Sequence, residues 1–275
     1  MRLRVPRLKW HMLRRRKADP GHLRANLGAA LAAGAACEVD LRFSADGHAF
    51  CLHDATLDRE TTGTGPADRL SRGEIERLRQ RAPDGRVTGE APLFLDEVAD
   101  AVRRRGRDGA GLVQLDVKAA VDALDAARLE RLRATLGDVS RRFVAGACDW
   151  RMPKRLAAAI PGLQAGFDPL DFYPRSMPQG AAAFRALGER TVATAPDASI
   201  YYLEADLVLA GLAEGVNLVE MVRRGGAEVD AWTIDADRPD LRTLLGKIVR
   251  AGATQITSND PDILAPLLEE ICACA

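Results

Sequence analysis

CEVDLRFSADGHAFCLHDATLDRETTGTG, residues 37–65, begins with a run in which acidic and apolar side chains alternate. In a β-strand this alternation places Glu38 and Asp40 on one face and the apolar side chains on the other. Two carboxylates side by side on one strand face repel each other unless a cation lies between them. The run therefore predicts a strand that carries a cation site.

A turn and a second apolar run follow. The dipeptide Asp46-Gly47 favours a hairpin-like reversal, and residues 49–52 then lead into His53 and Asp54. A carboxylate pair and a histidine are thus expected at neighbouring chain ends. Oxygen ligands of this kind suit one hard divalent cation, Mg²⁺ or Ca²⁺.

The order of these residues resembles the motifs of the glycerophosphodiester phosphodiesterase family, a phospholipase C-like superfamily member related to sphingomyelinase D. A bare Glu-x-Asp would carry little weight, but the resemblance is ordered, long and includes the chemically active positions. The family's Glu-x-Asp, Asp-Gly, His-Asp and Thr-Leu-Asp-Arg-x-Thr motifs correspond here to Glu38-Val39-Asp40, Asp46-Gly47, His53-Asp54 and Thr56-Leu57-Asp58-Arg59-Glu60-Thr61.

The resemblance implies a site that combines one divalent cation with two histidines. Asp116 stands where the family usually has glutamate, and Trp232 is expected either in the substrate pocket or in the core. The residues implied are Glu38, Asp40 and Asp116 as metal ligands, His11 and His53 as the acid/base pair, and Lys118, Trp232 and Arg14 as phosphate- or substrate-binding residues.

Two segments near the N-terminus depart from the family pattern. Met12 and Leu13 stand where the family has Arg-Gly after its first histidine, so Arg14 or one of the next two arginines is expected to replace the phosphate-binding arginine. Pro20-Gly21-His22-Leu23 stands where the family has Pro-Glu-Asn-Thr. We interpret His22 as a surface histidine.

Strand-like and helix-like segments alternate along the chain. The strands are predicted at residues 8–11, 37–41, 111–118, 143–148, 163–167, 199–203 (or 191–195), 228–234 and 254–257. This pattern favours an α/β fold, a (β/α)₈ TIM barrel, in which active residues lie at the C-terminal ends of the strands. We expect one domain over residues 1–275, with a short insertion after the second strand at about residues 55–92.

Composition restricts the class of protein. The formal net charge is zero, so nothing predicts nucleic-acid binding. The five cysteines have no regular spacing, which argues against a disulfide framework. The basic residues within 1–17 lack the apolar core of a signal peptide, so we expect a cytoplasmic protein. Its basic N-terminus either makes peripheral contact with an anionic membrane surface or a phosphate, or is simply solvated. The oligomeric state stays open.

Three functions fit the pattern. The first is metal-dependent hydrolysis of glycerophosphodiesters to glycerol 3-phosphate and an alcohol. The second is a sphingomyelinase D-like reaction that forms a cyclic phosphate from a phospholipid or lysolipid, suggested by Met12 and Asp116. The third is a non-catalytic phosphate-binding barrel, suggested by the altered positions 12, 21 and 22. Retention of both histidines favours an enzyme.

Overall fold

The computed structural model describes residues 3–105, 111–173, 176–223 and 225–273. The chain forms two compact units, one of Trp10–Gln164 and one of Met1–Lys9 with Ala165–Ala275. Each unit contains parallel strands that alternate with helices.

The regular elements follow one another in strand–helix order. They are β1 (Arg7–Trp10), α1 (Arg24–Ala32), β2 (Ala36–Phe43), β3 (Ala49–Cys51), α2 (Arg72–Ile75), α3 (Leu95–Arg105), β4 (Val113–Val117), α4 (Ala126–Leu136), β5 (Phe143–Gly146), α5 (Arg151–Ala159), β6 (Gln164–Phe167), α6 (Gly180–Thr194), β7 (Ile200–Glu204), α7 (Ala205–Ala213), α8 (Leu218–Arg223), β8 (Glu228–Trp232), α9 (Leu241–Ala251), β9 (Gln255–Ser258) and α10 (Pro261–Ala273).

The sheet of the unit Trp10–Gln164 has the strand order β5-β4-β2-β3. Strands β2, β4 and β5 are parallel, and the register places Asp40 opposite Asp116. The short strand β3 pairs antiparallel with β2 across the predicted turn, where Gly47 has φ +81°, a conformation that glycine adopts without steric cost. The apolar side chains of β2, such as Val39 and Leu41, are fully buried in the core.

The segment between β3 and α3 has a small core of its own. Its buried members are Phe50, Leu52, Leu57, Ala67, Ile75 and Phe94. Within residues 69–81 the chain forms the four-residue helix α2. The rest of that segment does not continue the helix because Gln80 forms a bridge with Thr61, and Arg79 accepts a hydrogen bond from the backbone of Thr62.

The second unit has the strand order β1-β9-β8-β7-β6. Of the two strands considered in this region, the one at residues 199–203 is correct, whereas Thr191 belongs to α6. A buried ion pair lies inside this unit, with Lys9 Nζ 2.7 Å from Asp230 Oδ2. Gln255 and Thr257 also donate hydrogen bonds to that carboxylate, so the buried charges are compensated.

Candidate metal and phosphodiester site

Three carboxylates converge where strands β2 and β4 run side by side. Glu38 and Asp40 are two residues apart on β2, and the sheet register aligns Asp40 with Asp116. Their ligand atoms all lie within 4.8 Å of one another. The structure therefore brings together the three residues that the sequence predicts as metal ligands.

Asp40 is at the centre of this cluster and is completely buried. Lys118 Nζ lies 3.0 Å from its Oδ1 atom and His22 Nε2 lies 3.2 Å from its Oδ2 atom. Both contacts have ion-pair distances, but neither carboxylate oxygen has a hydrogen bond of good geometry within the described residues. Burial acts to raise the pKa of Asp40, but His22, Lys118 and His53 outweigh it and hold the pKa well below its usual range.

Lys118 bridges two of the carboxylates. Its Nζ atom lies 2.6 Å from Asp116 Oδ2 as well as 3.0 Å from Asp40 Oδ1. Burial opposes the charged ammonium, but Asp116, Asp40 and Glu38 together raise the pKa of Lys118. Burial, with the charges of Glu38 and Asp40, raises the pKa of Asp116 despite the nearby lysine.

The donor set fits a hard divalent cation. Three carboxylates and one ammonium leave two negative charges in a mostly buried cluster, and charges of one sign at this distance require a counter-charge. The two Asp40 oxygens are buried and make no hydrogen bond of good geometry within the described residues, so a bound cation would add to the partial compensation that Lys118 and His22 provide. Oxygen ligands favour Mg²⁺ or Ca²⁺ over softer ions.

His11 reaches the same cluster from a single turn of 3₁₀ helix, His11–Leu13, that follows β1. His11 Nε2 lies 3.5 Å from Glu38 Oε2, and the backbone N–H of Met12 donates to the same oxygen at 3.0 Å. Met12 and Leu13 have φ values of 51° and 54°. This left-handed conformation is unusual for residues with a side chain, so the turn keeps a shape that glycine would adopt more easily.

His53 is oriented by a chain of charged side chains. Its Nδ1 atom lies 2.9 Å from Asp54 Oδ1, and Arg59 donates to both oxygens of Asp54, at 2.6 and 2.7 Å. The hydrogen bonds from Arg59, helped by His53, lower the pKa of Asp54 to about 2 against the opposing effect of burial. Glu60 accepts from the backbone N–H groups of His53 and Asp54.

The backbone of His53 is also fixed from β2. Arg42 donates to the carbonyl oxygen of His53 at 2.8 Å and to that of Lys118 at 3.4 Å. The side chain of His53 is 43% exposed. Its Nε2 atom has no hydrogen-bond partner within the described residues, so this nitrogen is available to a ligand.

Arg14 lies at the edge of the cluster. Its Nε atom donates to the carbonyl oxygen of Asp19 at 3.1 Å. Burial lowers the pKa of its guanidinium, and Glu60, then Asp40 and Glu38, oppose that effect. Arg14 therefore lies within electrostatic reach of the carboxylates, as a replacement for the arginine absent at Met12 requires.

His22 is buried, so its interpretation as a surface histidine is wrong. It is 1% exposed and contacts Asp40. The sequence contains no alternating or helical pattern around residue 22 that indicates burial. The one sequence signal that residue 22 belongs to the site is that it stands where the family motif Pro-Glu-Asn-Thr has asparagine.

Trp232 ends strand β8 in the second unit and is half-buried. Its indole Nε1 atom is buried and has no hydrogen-bond partner within the described ranges. A buried indole N–H normally has an acceptor, so this atom is unusual. The role of Trp232 in substrate binding stays a prediction.

Known proteins are similar to this chain in sequence and in fold. The model of the glycerophosphoryl diester phosphodiesterase family matches residues 25–143. A probable glycerophosphodiester phosphodiesterase 1 from Mycobacterium tuberculosis is 35% identical over 92 residues, which are 31% of this chain and 34% of the relative. The match thus spans about a third of the length of that curated relative.

Solved structures resemble the chain over nearly its whole length. A glycerophosphodiester phosphodiesterase from Agrobacterium tumefaciens has 23% identity and a TM-score of 0.68, covering 94% of this chain and 99% of the other. An Oleispira antarctica phosphodiesterase, solved with its product sn-glycerol-3-phosphate, has 18% identity and a TM-score of 0.69, covering 96% and 97%. These likenesses confirm the predicted (β/α)₈ barrel.

Within the described residues, no helix is both long and apolar enough to cross a membrane. The family match includes both acidic residues of β2, Glu38 and Asp40, together with His53 and the β4-side residues Asp116 and Lys118. His11 and the altered turn lie before the matched range. Over residues 25–143 this chain is therefore similar to the glycerophosphoryl diester phosphodiesterase family, and its fold is similar to that of solved phosphodiesterases.

Proposed function

We propose that this chain is a metal-dependent phosphodiesterase that hydrolyses glycerophosphodiesters to glycerol 3-phosphate and an alcohol. The observation that supports this most directly is the convergence of Glu38, Asp40 and Asp116 within 4.8 Å of one another. His11 contacts Glu38, and His53 contributes to the field at Asp40. A pure binding site needs no such pair of histidines beside its carboxylates.

The three carboxylates would hold Mg²⁺ or Ca²⁺. When bound, the cation supplies a Lewis acid that withdraws charge from the phosphoryl group. Lys118, whose ammonium stays protonated beside Asp116 and Asp40, adds positive charge where the phosphoryl oxygens become more negative. Arg14 supplies a second positive group at the edge of the cluster in place of the arginine absent at position 12.

The two histidines move the protons. Hydrolysis breaks one P–O bond, takes a proton from the attacking oxygen and returns one to the leaving alcohol. His53 holds its Nδ1 atom on Asp54, so its exposed Nε2 atom is the nitrogen that exchanges a proton with substrate. His11, whose Nε2 atom lies 3.5 Å from Glu38 Oε2, is the second histidine of the acid/base pair. The attacking oxygen is either water or a neighbouring hydroxyl of the substrate, which gives a cyclic phosphate.

The test compares glycerophosphocholine with lysophosphatidylcholine as substrates, with EDTA and with added Mg²⁺ or Ca²⁺. We expect metal-dependent release of glycerol 3-phosphate, a loss of at least about 100-fold in kcat on His53→Ala, and no change on His48→Gln, a histidine substitution away from the site. Cyclic phosphate formed from the lysolipid alone would support the sphingomyelinase D-like reaction. No turnover of either substrate, or full activity of His53→Ala, would contradict the proposal.

Contact with an anionic membrane surface is a further part of this proposal. Arg15, Arg16 and Lys17 are exposed on the loop after the His11 turn, whereas Met1 and Arg2 lie outside the described residues. Each basic residue near such a surface contributes about 1 kcal/mol. Sedimentation with phosphatidylserine vesicles should therefore weaken on replacing these three residues with glutamine, and unchanged binding would contradict the contact.

A further inference from the structure

Three positions that depart from the family pattern contact one another. A Cβ atom at Gly21 would lie 2.9 Å from Met12 Cε, so a side chain at position 21 would displace Met12. The carbonyl oxygen of Met12 accepts a hydrogen bond from the backbone N–H of His22 at 2.6 Å. The three differences from the family pattern, at positions 12, 21 and 22, therefore belong to one set of mutual contacts and are not independent of one another.

His22 pays a conformational cost for its position. Its backbone φ is 59°, and a left-handed residue with a Cβ costs about 1–2 kcal/mol. The backbone is held on both sides, because its N–H donates to Met12 and its carbonyl oxygen accepts from Gln80 Nε2 at 3.2 Å. Strain of this kind persists where the surroundings fix the residue, and it concentrates at functional sites.

The imidazole of His22 holds one residue by two groups. Its Nε2 atom lies 3.2 Å from the backbone nitrogen of Asp40 and 3.2 Å from Oδ2 of the same residue. It accepts from the backbone N–H in the tautomer without a proton on Nε2, and it donates to Oδ2 when Nε2 carries a proton. The other carboxylate oxygen, Oδ1, is the one that Lys118 contacts. The ring therefore restricts both the backbone and the carboxylate rotation of the buried aspartate.

We propose that His22 is a positioning residue that fixes the Asp40 carboxylate so that Oδ1 is presented toward Asp116 and Lys118. This inference rests on the proposed function, since it takes Asp40 as a metal ligand. It gives the segment of residues 12–22 a role in the site, although positions 12, 21 and 22 differ from the family pattern. Partners that orient a metal ligand typically change metal affinity by about 10- to 100-fold when they are removed.

The experiment measures Mn²⁺ binding directly, by the electron paramagnetic resonance signal of free Mn²⁺, without any turnover. The variants are His22→Gln, whose amide NH₂ can donate to Oδ2 of Asp40 in place of Nε2, and His22→Phe, which keeps an aromatic ring but has no nitrogen. His48→Gln is the matched control. We expect Kd to rise about 10- to 100-fold for His22→Phe, to stay within about 5-fold for His22→Gln, and to be unchanged for the control.

Thermal unfolding in EDTA distinguishes positioning from simple packing. If His22→Phe unfolds normally and binds Mn²⁺ as tightly as the unmodified chain, the inference is overturned. If His22→Phe fails to fold, the Kd for Mn²⁺ is compared between His22→Gln and His22→Leu instead. Equal Kd values for these two variants would then overturn the inference. A chain that binds Mn²⁺ with the expected order of affinities but hydrolyses no diester would sink the proposed function and leave the positioning role standing, whereas a chain that binds no Mn²⁺ would overturn both.

Discussion

Replacing Asp54 with asparagine tests how the site orients its exposed histidine. Asn keeps the size of the side chain but removes the charge that Nδ1 of His53 meets at 2.9 Å and that Arg59 contacts at 2.6 and 2.7 Å. Hydrogen bonds to charged groups contribute about 1.5–3 kcal/mol. Because His53 is 43% exposed, the lower end of that range, about 1.5–2 kcal/mol, applies.

At about 1.4 kcal/mol for each factor of ten in rate, this predicts a fall of about 10- to 30-fold in kcat. KM should change little, since Asp54 lies behind the histidine. The assay is steady-state hydrolysis of glycerophosphocholine at saturating Mg²⁺. Asp58→Asn is the matched control, because Asp58 lies in the same loop but is exposed and accepts from the backbone of Gly65. Equal kcat in Asp54→Asn and the unmodified chain, or equal damage from the control, would refute the reasoning.

Three further predictions concern charges in the two units. Lys118→Met should lower kcat/KM about 100-fold by removing the ammonium beside the carboxylates, measured on glycerophosphocholine; a fall below about 3-fold contradicts its role. The pKa of the Asp54 carboxyl is lowered to about 2, so its contribution to stability is complete above about pH 4 and is lost as the pH falls toward 2. Between pH 5 and 3 the free energy of unfolding in urea should therefore fall by about 0.5–1 kcal/mol less in Asp54→Asn than in the unmodified chain, and identical falls would exclude this contribution. Lys9→Met should lower the free energy of unfolding in urea by about 3–5 kcal/mol, because it leaves the buried Asp230 without its ion-pair partner. The control Arg7→Met breaks only the exposed pair with Glu228 at 3.3 Å and should lower it by less than about 1 kcal/mol. Similar losses from both substitutions would show that burial does not set the cost.

Much of the fold follows from the sequence because its signals are local. The alternating pattern of residues 37–41, the Asp46-Gly47 turn and the repeated strand–helix spacing each depend on a few neighbouring side chains. The (β/α)₈ class and the strand at residues 199–203 are confirmed. The assignment of residues 1–275 to one domain stays a prediction, as do the roles of the individual site residues.

What the sequence could not show depends on contacts between distant segments. His22 is buried by Asp40 and Gln80, which are 18 and 58 residues further along the chain. No periodic pattern reports such contacts, so a polar residue in a turn-rich segment is interpreted as exposed. The bonds between Arg59 and Asp54 were absent from the prediction for a similar reason, because motif matching identifies residues without their geometry.

The compensation between Met12 and Gly21 has the same origin. Each residue alone lacks the charged side chain that the family motif has at its position, and the two together suggested a barrel without catalytic function. In the structure, a Cβ atom at position 21 would lie only 2.9 Å from Met12 Cε, so the Met12 side chain fits because residue 21 is glycine. Such a pair can be recognised only when the two positions are known to touch.

The left-handed turn at Met12 and Leu13 has a consequence for how this site assembles. Leu13 is completely buried in the core of its unit while its backbone has φ 54°, so burial of the side chain, worth about 1.5–3 kcal/mol, holds a conformation that the isolated segment would avoid. We therefore expect the position of His11 to be set only when the core around Leu13 has formed. On dilution from denaturant, we therefore expect recovery of the proposed hydrolysis to follow recovery of the helical signal, and simultaneous recovery of the two would contradict this order.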